Sequence, residues 1–339
     1  MTIIPWRRGV LIMLGVALLA AALAASLPDK PYQRWSTLEK TIQNRLRWVY
    51  ERIHQDPAPI DVVLLGPSRG GAGVSAPRVQ EGLAALGKPL GVVNFSLPEN
   101  GRDLHWVVEN ELLSKRSPRL IIIVVIEKPG RFGHPAFKYI APAGAVIDPA
   151  YVGNLNYLSN LIYLPYRQLR LFLAQFAPAA SGLPDRFDPA RYAGTAFDST
   201  NSFVTGDGIR VERNRIVPVT ELEAGVRRYE KGVRPPILGP RFADQEFGDE
   251  RSYVRRMAAA AQARGSRVAF LFLPYYTGPR VIQERAFYEG FGPVFDAGFV
   301  STHPEYFSDV AHLNHDGALI VSDWLAPQIA ALLDGKTLP

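Results

Sequence analysis

The sequence predicts a three-layer α/β fold with a five-stranded parallel sheet and one large insertion. Short apolar runs alternate with helical patterns on both sides of residues 129–247. The run RLIIIVVIE at 119–127 is too uniformly apolar for a half-exposed strand and suits the middle of a sheet covered on both faces. Turn residues directly follow the strand-like runs, as a layered α/β domain requires.

The first element precedes that domain. MTIIPWRRGVLIMLGVALLAAALAASLPDK places Arg7 and Arg8 ahead of an uncharged run from Gly9 to Pro28. About 20 apolar residues approach the thickness of a hydrocarbon core, so residues 1–28 read as a transmembrane anchor or signal segment. The arginines put the N-terminus in the cytoplasm and the rest of the chain outside it. Ala22-Leu23-Ala24 also resembles a signal-peptidase site, so anchor and cleaved signal both stay open. Residues 29–59 form a linker. Within it Leu38, Ile42, Leu46, Val49 and Ile53 recur at three- and four-residue steps and predict an amphipathic helix from about Ser36 to His54.

Residues 60–128 and 248–339 carry the alternation. DVVLLG (61–66) is the first strand, Pro77 to Leu86 a helix, GVVNFS (91–96) the second strand, Asp103 to Leu113 a helix, and RLIIIVVIE the third strand. Residues 129–247 are rich in Pro, Gly, Tyr and Phe, with one clear helical segment, NLNYLSNLIYLPYRQLRLFLAQF, and short strands suggested in GIRVERNRIVPV. That is too long for a loop inside a compact domain and predicts an inserted lid. The pattern resumes with a helix near Glu250 to Arg264, the strand RVAFLFLP (267–274), a helix from about Val281 to Tyr288, a weak strand around Phe295 to Ser301 and a final helix from Gly317 to Leu333.

Composition narrows the function classes. With 47% apolar and 21% charged residues the chain is globular. Its net charge of +6 comes from scattered basic residues with no interleaved aromatic run, which argues against nucleic acid and for a surface facing an anionic membrane or polymer. The absence of cysteine excludes thiol nucleophiles, cysteine-ligated zinc and disulfides. His303, His312 and His315 lack a metal-binding spacing, so neither metal nor other cofactor is expected.

Chemistry concentrates in LLGPSRGGAGVSAP, residues 64–77. G-P-S-R-G matches the serine turn of α/β-hydrolases, and G-A-G-V-S-A matches a dinucleotide-binding turn. The hydrolase turn follows several strands and draws its acid and histidine from separate loops, whereas Ser68 follows the first strand and Asp309 and His312 stand three apart. A dinucleotide turn starts at the strand end and has an acidic residue after the second strand; Gly71 lies five residues beyond, and GVVNFS ends without one. A third reading remains, with Ser68 at the carboxyl end of the first strand of a smaller sheet, where open α/β sheets bind ligands.

YFSDVAHLNHDGA brings Asp309 and His312 to the same edge, just before the last helix. A serine nucleophile needs a base, and the base needs an orienting partner; Ser68, His312 and Asp309 supply those roles. Each residue alone reads as a cap or a structural histidine, and the joint spacing sets them apart. The attacked carbonyl needs preorganised donors. Candidates are the Ser68 amide and, from NFSLPENG, Gly101 or the Asn100 side chain. Arg69 is an anion-binding candidate or the partner of a nearby carboxylate. Tyr157, Tyr163, Tyr166, Tyr275 and Tyr276 are sugar-stacking candidates or packing.

These residues resemble the SGNH/GDSL hydrolase superfamily at G-P-S-R (66–69), N-F-S-L-P-E-N-G (94–101) and D-V-A-H-L-N (309–314). The GxSR serine block, the anchor, F-L-P-Y-Y at 272–276 and D-x-x-H-L-N-x-x-G together resemble its alginate O-acetyltransferase-like branch. The resemblance implies a flavodoxin-like fold anchored in the inner membrane and exposed to the periplasm. It also implies serine-dependent acetyl transfer to a cell-surface polysaccharide beside a membrane-bound O-acyltransferase. A carbohydrate O-acetylesterase and a catalytically silent scaffold or glycan-binding component are the alternatives. One departure bears on the last: the superfamily's third block supplies an oxyanion-stabilising asparagine, and here the third strand ends VVIEKPGRF without one.

Overall fold

Seven strands form two sheets in a computed structural model that describes residues 6–232, 236–279 and 281–336. In chain order they are β1 (Val62–Leu65), β2 (Val92–Asn94), β3 (Leu120–Val125), β4 (Ser202–Val204), β5 (Arg210–Glu212), β6 (Arg267–Phe272) and β7 (Val294–Asp296). The five parallel strands expected from the sequence pair in the order β2-β1-β3-β6-β7, while β4 and β5 make a separate antiparallel pair. The direction of winding reverses between β1 and β3, and that reversal opens a crevice at the carboxyl ends of these strands.

Alternation of side chains across the sheet builds two cores. Val63, Leu65, Ile121, Ile123, Phe270 and Phe272 face the helices Arg45–His54, Arg102–Lys115 and Gly248–Ala263. Val62, Leu64, Ile122, Val124, Ala269 and Leu271 face Ala76–Ala85 and His315–Leu333. Every residue of β1 and β3 is buried, which accounts for the unbroken apolar runs.

Three boundaries differ from the sequence expectation, each for a tertiary reason. The helix expected from Ser36 starts only at Arg45, because residues 36–44 form turns against the β4–β5 hairpin. There Gly206 donates to Thr41 O at 3.0 Å and Asn44 to Val204 O at 2.9 Å. Of the helix expected over 281–288 only Arg285–Glu289 forms; Gln283 N is drawn to Glu127 O, 3.1 Å away. The last strand stops at Asp296, whose carboxylate accepts from Gly298 N at 2.9 Å and starts a 3-10 turn.

Segment 129–247 packs in two places. Phe137, Ile140, Ala141 and Val146 join the first core, with the Tyr157–Ala174 helix beside them. Residues 197–230, including the helix Val219–Glu230 that the sequence reading did not single out, lie over the strand ends. Trp6–Ala25 is one helix of 20 residues, long and apolar enough to cross a membrane, and none of it is buried. Residues 1–5 of the expected anchor lie outside the described residues.

Two helices of the first core meet through buried charge. Arg102 pairs with Glu250 at 2.7 Å, and Tyr288 donates to the same carboxylate at 3.0 Å. Next to them Asp103 accepts from the amides of Leu104 (2.8 Å) and His134 (2.7 Å). Burial nevertheless pushes its carboxyl up to about 7, and burial together with Asp103 pushes Asp249 up as well. An unfolded aspartate releases its proton near pH 3.9, so folding retains a proton on Asp103 between there and about 7. Stability therefore falls as pH rises through that window. Asp103→Asn keeps the amide acceptor without the buried charge. We expect it to flatten the decline in urea midpoint between pH 5 and 7; an unchanged decline would show that Asp103 folds ionised.

Candidate active site

The G-P-S-R-G stretch takes its shape from close packing. Gly66 passes β3 so closely that a Cβ there would lie 2.4 Å from Val124 Cβ, and a Cβ on Gly70 would lie 2.4 Å from Ser96 Oγ. Between them Pro67 is extended, and a short helix begins at Ser68. Ser68 thus stands at the carboxyl edge of the sheet, beside the β1/β3 reversal, in the first turn of a helix whose opening amides have no intrahelical acceptor. The later glycines lie within this short helix and its packing, and Ser75 caps the next helix by accepting from Arg78 N at 3.3 Å.

The D-x-x-H segment is a closed turn. Phe307 and Leu313 form an antiparallel bridge, and Ser308 N donates to His312 O at 2.9 Å. Inside it, Asp309 Oδ1 accepts from the amides of Ala311 (2.8 Å) and His312 (3.0 Å), which holds the carboxylate against the imidazole. His312 Nδ1 lies 2.9 Å from Asp309 Oδ2, and His312 Nε2 lies 2.8 Å from Ser68 Oγ. Because an ionised carboxylate only accepts, Nδ1 carries the proton and Nε2 is left to accept from the serine hydroxyl. Asn314 then caps the final helix by accepting from Gly317 N at 2.9 Å, and its amide donates to Glu305 O and Arg215 O. The structure therefore brings Ser68, His312 and Asp309 into one hydrogen-bonded chain across 244 residues of sequence.

Electrostatics suit that arrangement. Burial would raise the Asp309 carboxyl, but the His312 hydrogen bond and charge, the Ala311 amide and the Arg213 charge outweigh it and hold the group at about 2. Ser68 lines a chamber of about 20 Å³ with Ser96, Arg45, Phe203 and Arg213. Arg45 donates to Ser199 Oγ at 3.0 Å and Asn94 O at 2.9 Å; burial and the nearby Arg213 charge lower its pKa to about 10. Burial also lowers the pKa of Arg213, against the pull of Asp309. Ser96 Oγ is buried with no hydrogen-bond partner among the described residues, while its backbone N–H is fixed by Asn94 Oδ1 at 3.0 Å.

The other residues singled out in the sequence are placed elsewhere. Arg69 points away from the chamber into a buried ion pair with Glu127 at 2.6 Å, donates to Leu273 O at 3.1 Å and bonds the Tyr229 hydroxyl. Tyr275 packs on Tyr229 with ring centroids 4.7 Å apart and planes tilted by 47°, and it donates to Glu230 at 3.3 Å. Asn100 lines a separate cavity of about 380 Å³ with Ile126, Lys128 and Phe132. Gly101 begins the helix Arg102–Lys115, where a Cβ would lie 2.1 Å from His134 N, so packing accounts for the glycine. Tyr276 packs against Phe307, and Tyr157, Tyr163 and Tyr166 belong to the helix beside the membrane segment. His303 pairs with Glu305 and His315 with Thr200, so neither joins His312.

Ser96, Arg45 and Arg213 escaped the sequence reading. Ser96 had a usable signal, since it too sits just past the carboxyl end of a parallel strand. Arg45 and Arg213 come from the linker and the insertion and carry no local motif. No family model matches the sequence, and no match emerges among curated proteins. The Asn314 cap supports the turn that carries His312. Asn314→Ala is expected to cost about 1 kcal/mol or more in urea unfolding, the usual loss for a helix cap.

Proposed function

We propose that Ser68, His312 and Asp309 carry out acyl transfer, taking an acetyl group onto Ser68 and passing it to a hydroxyl of an extracytoplasmic polysaccharide. The observation that carries this reading is the continuous hydroxyl–imidazole–carboxylate chain, 2.8 Å and 2.9 Å at its two links. Ser68 Oγ attacks the acetyl carbonyl as its proton passes to His312 Nε2. The tetrahedral intermediate then expels the donor's leaving group, which takes that proton, and acetyl-serine remains. In the second half His312 removes a proton from the acceptor hydroxyl, whose oxygen attacks the acetyl carbonyl. Collapse transfers the acetyl group and returns the proton to Ser68. Asp309 holds the imidazole tautomer and steadies its positive charge throughout.

The developing oxyanion has candidate donors in the Ser68 amide and the unpartnered Ser96 hydroxyl, within the field of Arg45 and Arg213. A chamber of about 20 Å³ is close to the size of one water, which favours an acyl group as small as acetyl. The SGNH-like order of blocks along one sheet edge supports the same reading, and Trp6–Ala25 behind Arg7 and Arg8 supports a periplasmic domain anchored in the inner membrane, where a membrane-bound O-acyltransferase would supply acetyl groups. If water replaces the acceptor, the same array is an esterase.

A second reading rests on Glu127. At the end of β3, where the superfamily carries its asparagine, Glu127 is tied to Arg69, which favours a silent glycan-binding component. An activated acetyl ester separates the two. Wild-type protein should gain an acetyl mass increment on Ser68 or turn the ester over, and Ser68→Ala should do neither; identical behaviour of the two proteins sinks the enzymatic reading. Loss of an oxyanion donor costs about 10²–10³ in kcat, so Ser96→Ala should lower kcat on that scale with KM little changed.

A further inference from the structure

The helix Tyr157–Ala174 buries polar groups beside Leu164, Leu171 and Ala174 and turns apolar side chains outward as well. Its protein-facing side includes Asn160, Arg167 and Gln168, all buried. Its outward stripe is Leu158, Ile162, Tyr166, Leu169, Leu173 and, just past the end, Phe176, each between 44% and 75% exposed. Steps of three and four residues put these six side chains on one face. A helix resting on a core in water turns polar side chains outward, and a contiguous exposed apolar stripe marks a surface that something covers.

The buried polar groups fix where that stripe lies. Arg167 Nη1 donates to Lys138 O and Ala141 O, both at 2.8 Å, which ties this side chain to the fold. Gln168 donates to Leu27 O at 2.7 Å and Gln175 to Pro28 O at 2.8 Å. Those two acceptors directly follow Trp6–Ala25, so the helix is clamped at the point where the membrane-spanning segment ends. The two helices also pack together, flanking an apolar cavity of about 610 Å³. Between Asp148 and Asp185 the chain has no acidic residue, and Lys138 lies over the rings of Tyr139 and Tyr163, 5.3 Å from each. Aromatic rings and cations beside an apolar stripe suit the level of lipid headgroups.

We infer that the outward stripe of Tyr157–Ala174 lies in the lipid surface, so that the protein rests on the bilayer through this helix as well as crossing it with Trp6–Ala25. The occupant is lipid, because the stripe continues the apolar surface of the spanning helix and the surrounding chain lacks acidic groups that anionic headgroups would repel. The inference is independent of the chemistry at Ser68.

The natural chain has no cysteine, so single labels can be placed without background. The full chain carrying Leu158→Cys, Ile162→Cys or Leu173→Cys, each with a polarity-sensitive fluorophore, is reconstituted into phosphatidylcholine/phosphatidylglycerol vesicles. Leu14→Cys serves as the reference within the span and Glu81→Cys as the reference on the exposed helix Ala76–Ala85. Labels on the stripe should shift to the blue, and a lipid-borne nitroxide should quench them several-fold more than the label at 81, approaching the label at 14. Quenching by aqueous iodide at the level of position 81 would place the stripe in water. Shielding from both quenchers would mean that a protein, a second copy or a membrane partner, covers it. Either result overturns the inference, as does failure of the chain to float with the vesicles.

Discussion

The approach of β1 to β3 at Gly66 is the constraint on which the site depends. No side chain larger than hydrogen fits against Val124 there, so the chain leaves β1 along one path and begins the next helix at Ser68. The same closeness recurs one turn later, where Gly70 meets Ser96 from the end of β2. Two hydrogen atoms in place of two methyl groups thus draw three strand ends together around Ser68. Close packing leaves little room to adjust, since crowding in a well-packed interior forces off-rotamer side chains or backbone shifts.

Charge is distributed to match. Arg45, Arg69 and Arg102 are all buried near strand ends, yet each is engaged differently. Arg69 and Arg102 are neutralised by Glu127 and Glu250, whereas Arg45 has only a serine hydroxyl and a backbone carbonyl as hydrogen-bond partners. Arg45, which feels the charge of Asp198 without an ion pair, and Arg213, which feels that of Asp309, are the cations that line the chamber with Ser68. A negative charge that appears on a bound carbonyl oxygen meets a field already in place, with no reorganisation required at the moment it forms.

The sheet and the Ser68–His312–Asp309 chain were legible in the sequence because their signals are local. Unbroken apolar runs such as LIIIVV report burial on both faces, and the D-x-x-H spacing reports a turn that closes on its own side chain. What was illegible depends on distant contacts. Residues 36–44 have helical periodicity but are held as turns by the β4–β5 hairpin, 160 positions away in the case of Asn44 and Val204. Asn100, Gly101 and Tyr275 lie in plausible loops, yet helix packing and the Arg69–Glu127 pair direct them elsewhere. Arg45 reached the chamber from a linker whose sequence reads only as amphipathic.

That last residue connects the site to the N-terminal apolar helix. The path from Trp6–Ala25 to Arg45 is pinned along its length: Asp29 pairs with Arg34 at 2.7 Å, Gln33 donates to Ala174 O at 3.3 Å, and Leu27 accepts from Gln168. A chain fixed in this way holds the globular domain at one orientation to Trp6–Ala25, in contrast to a Gly/Ser tether, which samples a broad range. If an acyl group reached Ser68 from within a bilayer, such a fixed orientation would raise the frequency of productive encounters, because the search would be reduced to diffusion in the membrane plane. The same rigidity would limit the reach of the chamber at Ser68. The Ser68–His312–Asp309 array is thus held in a fixed relation to a helix long and apolar enough to cross a membrane.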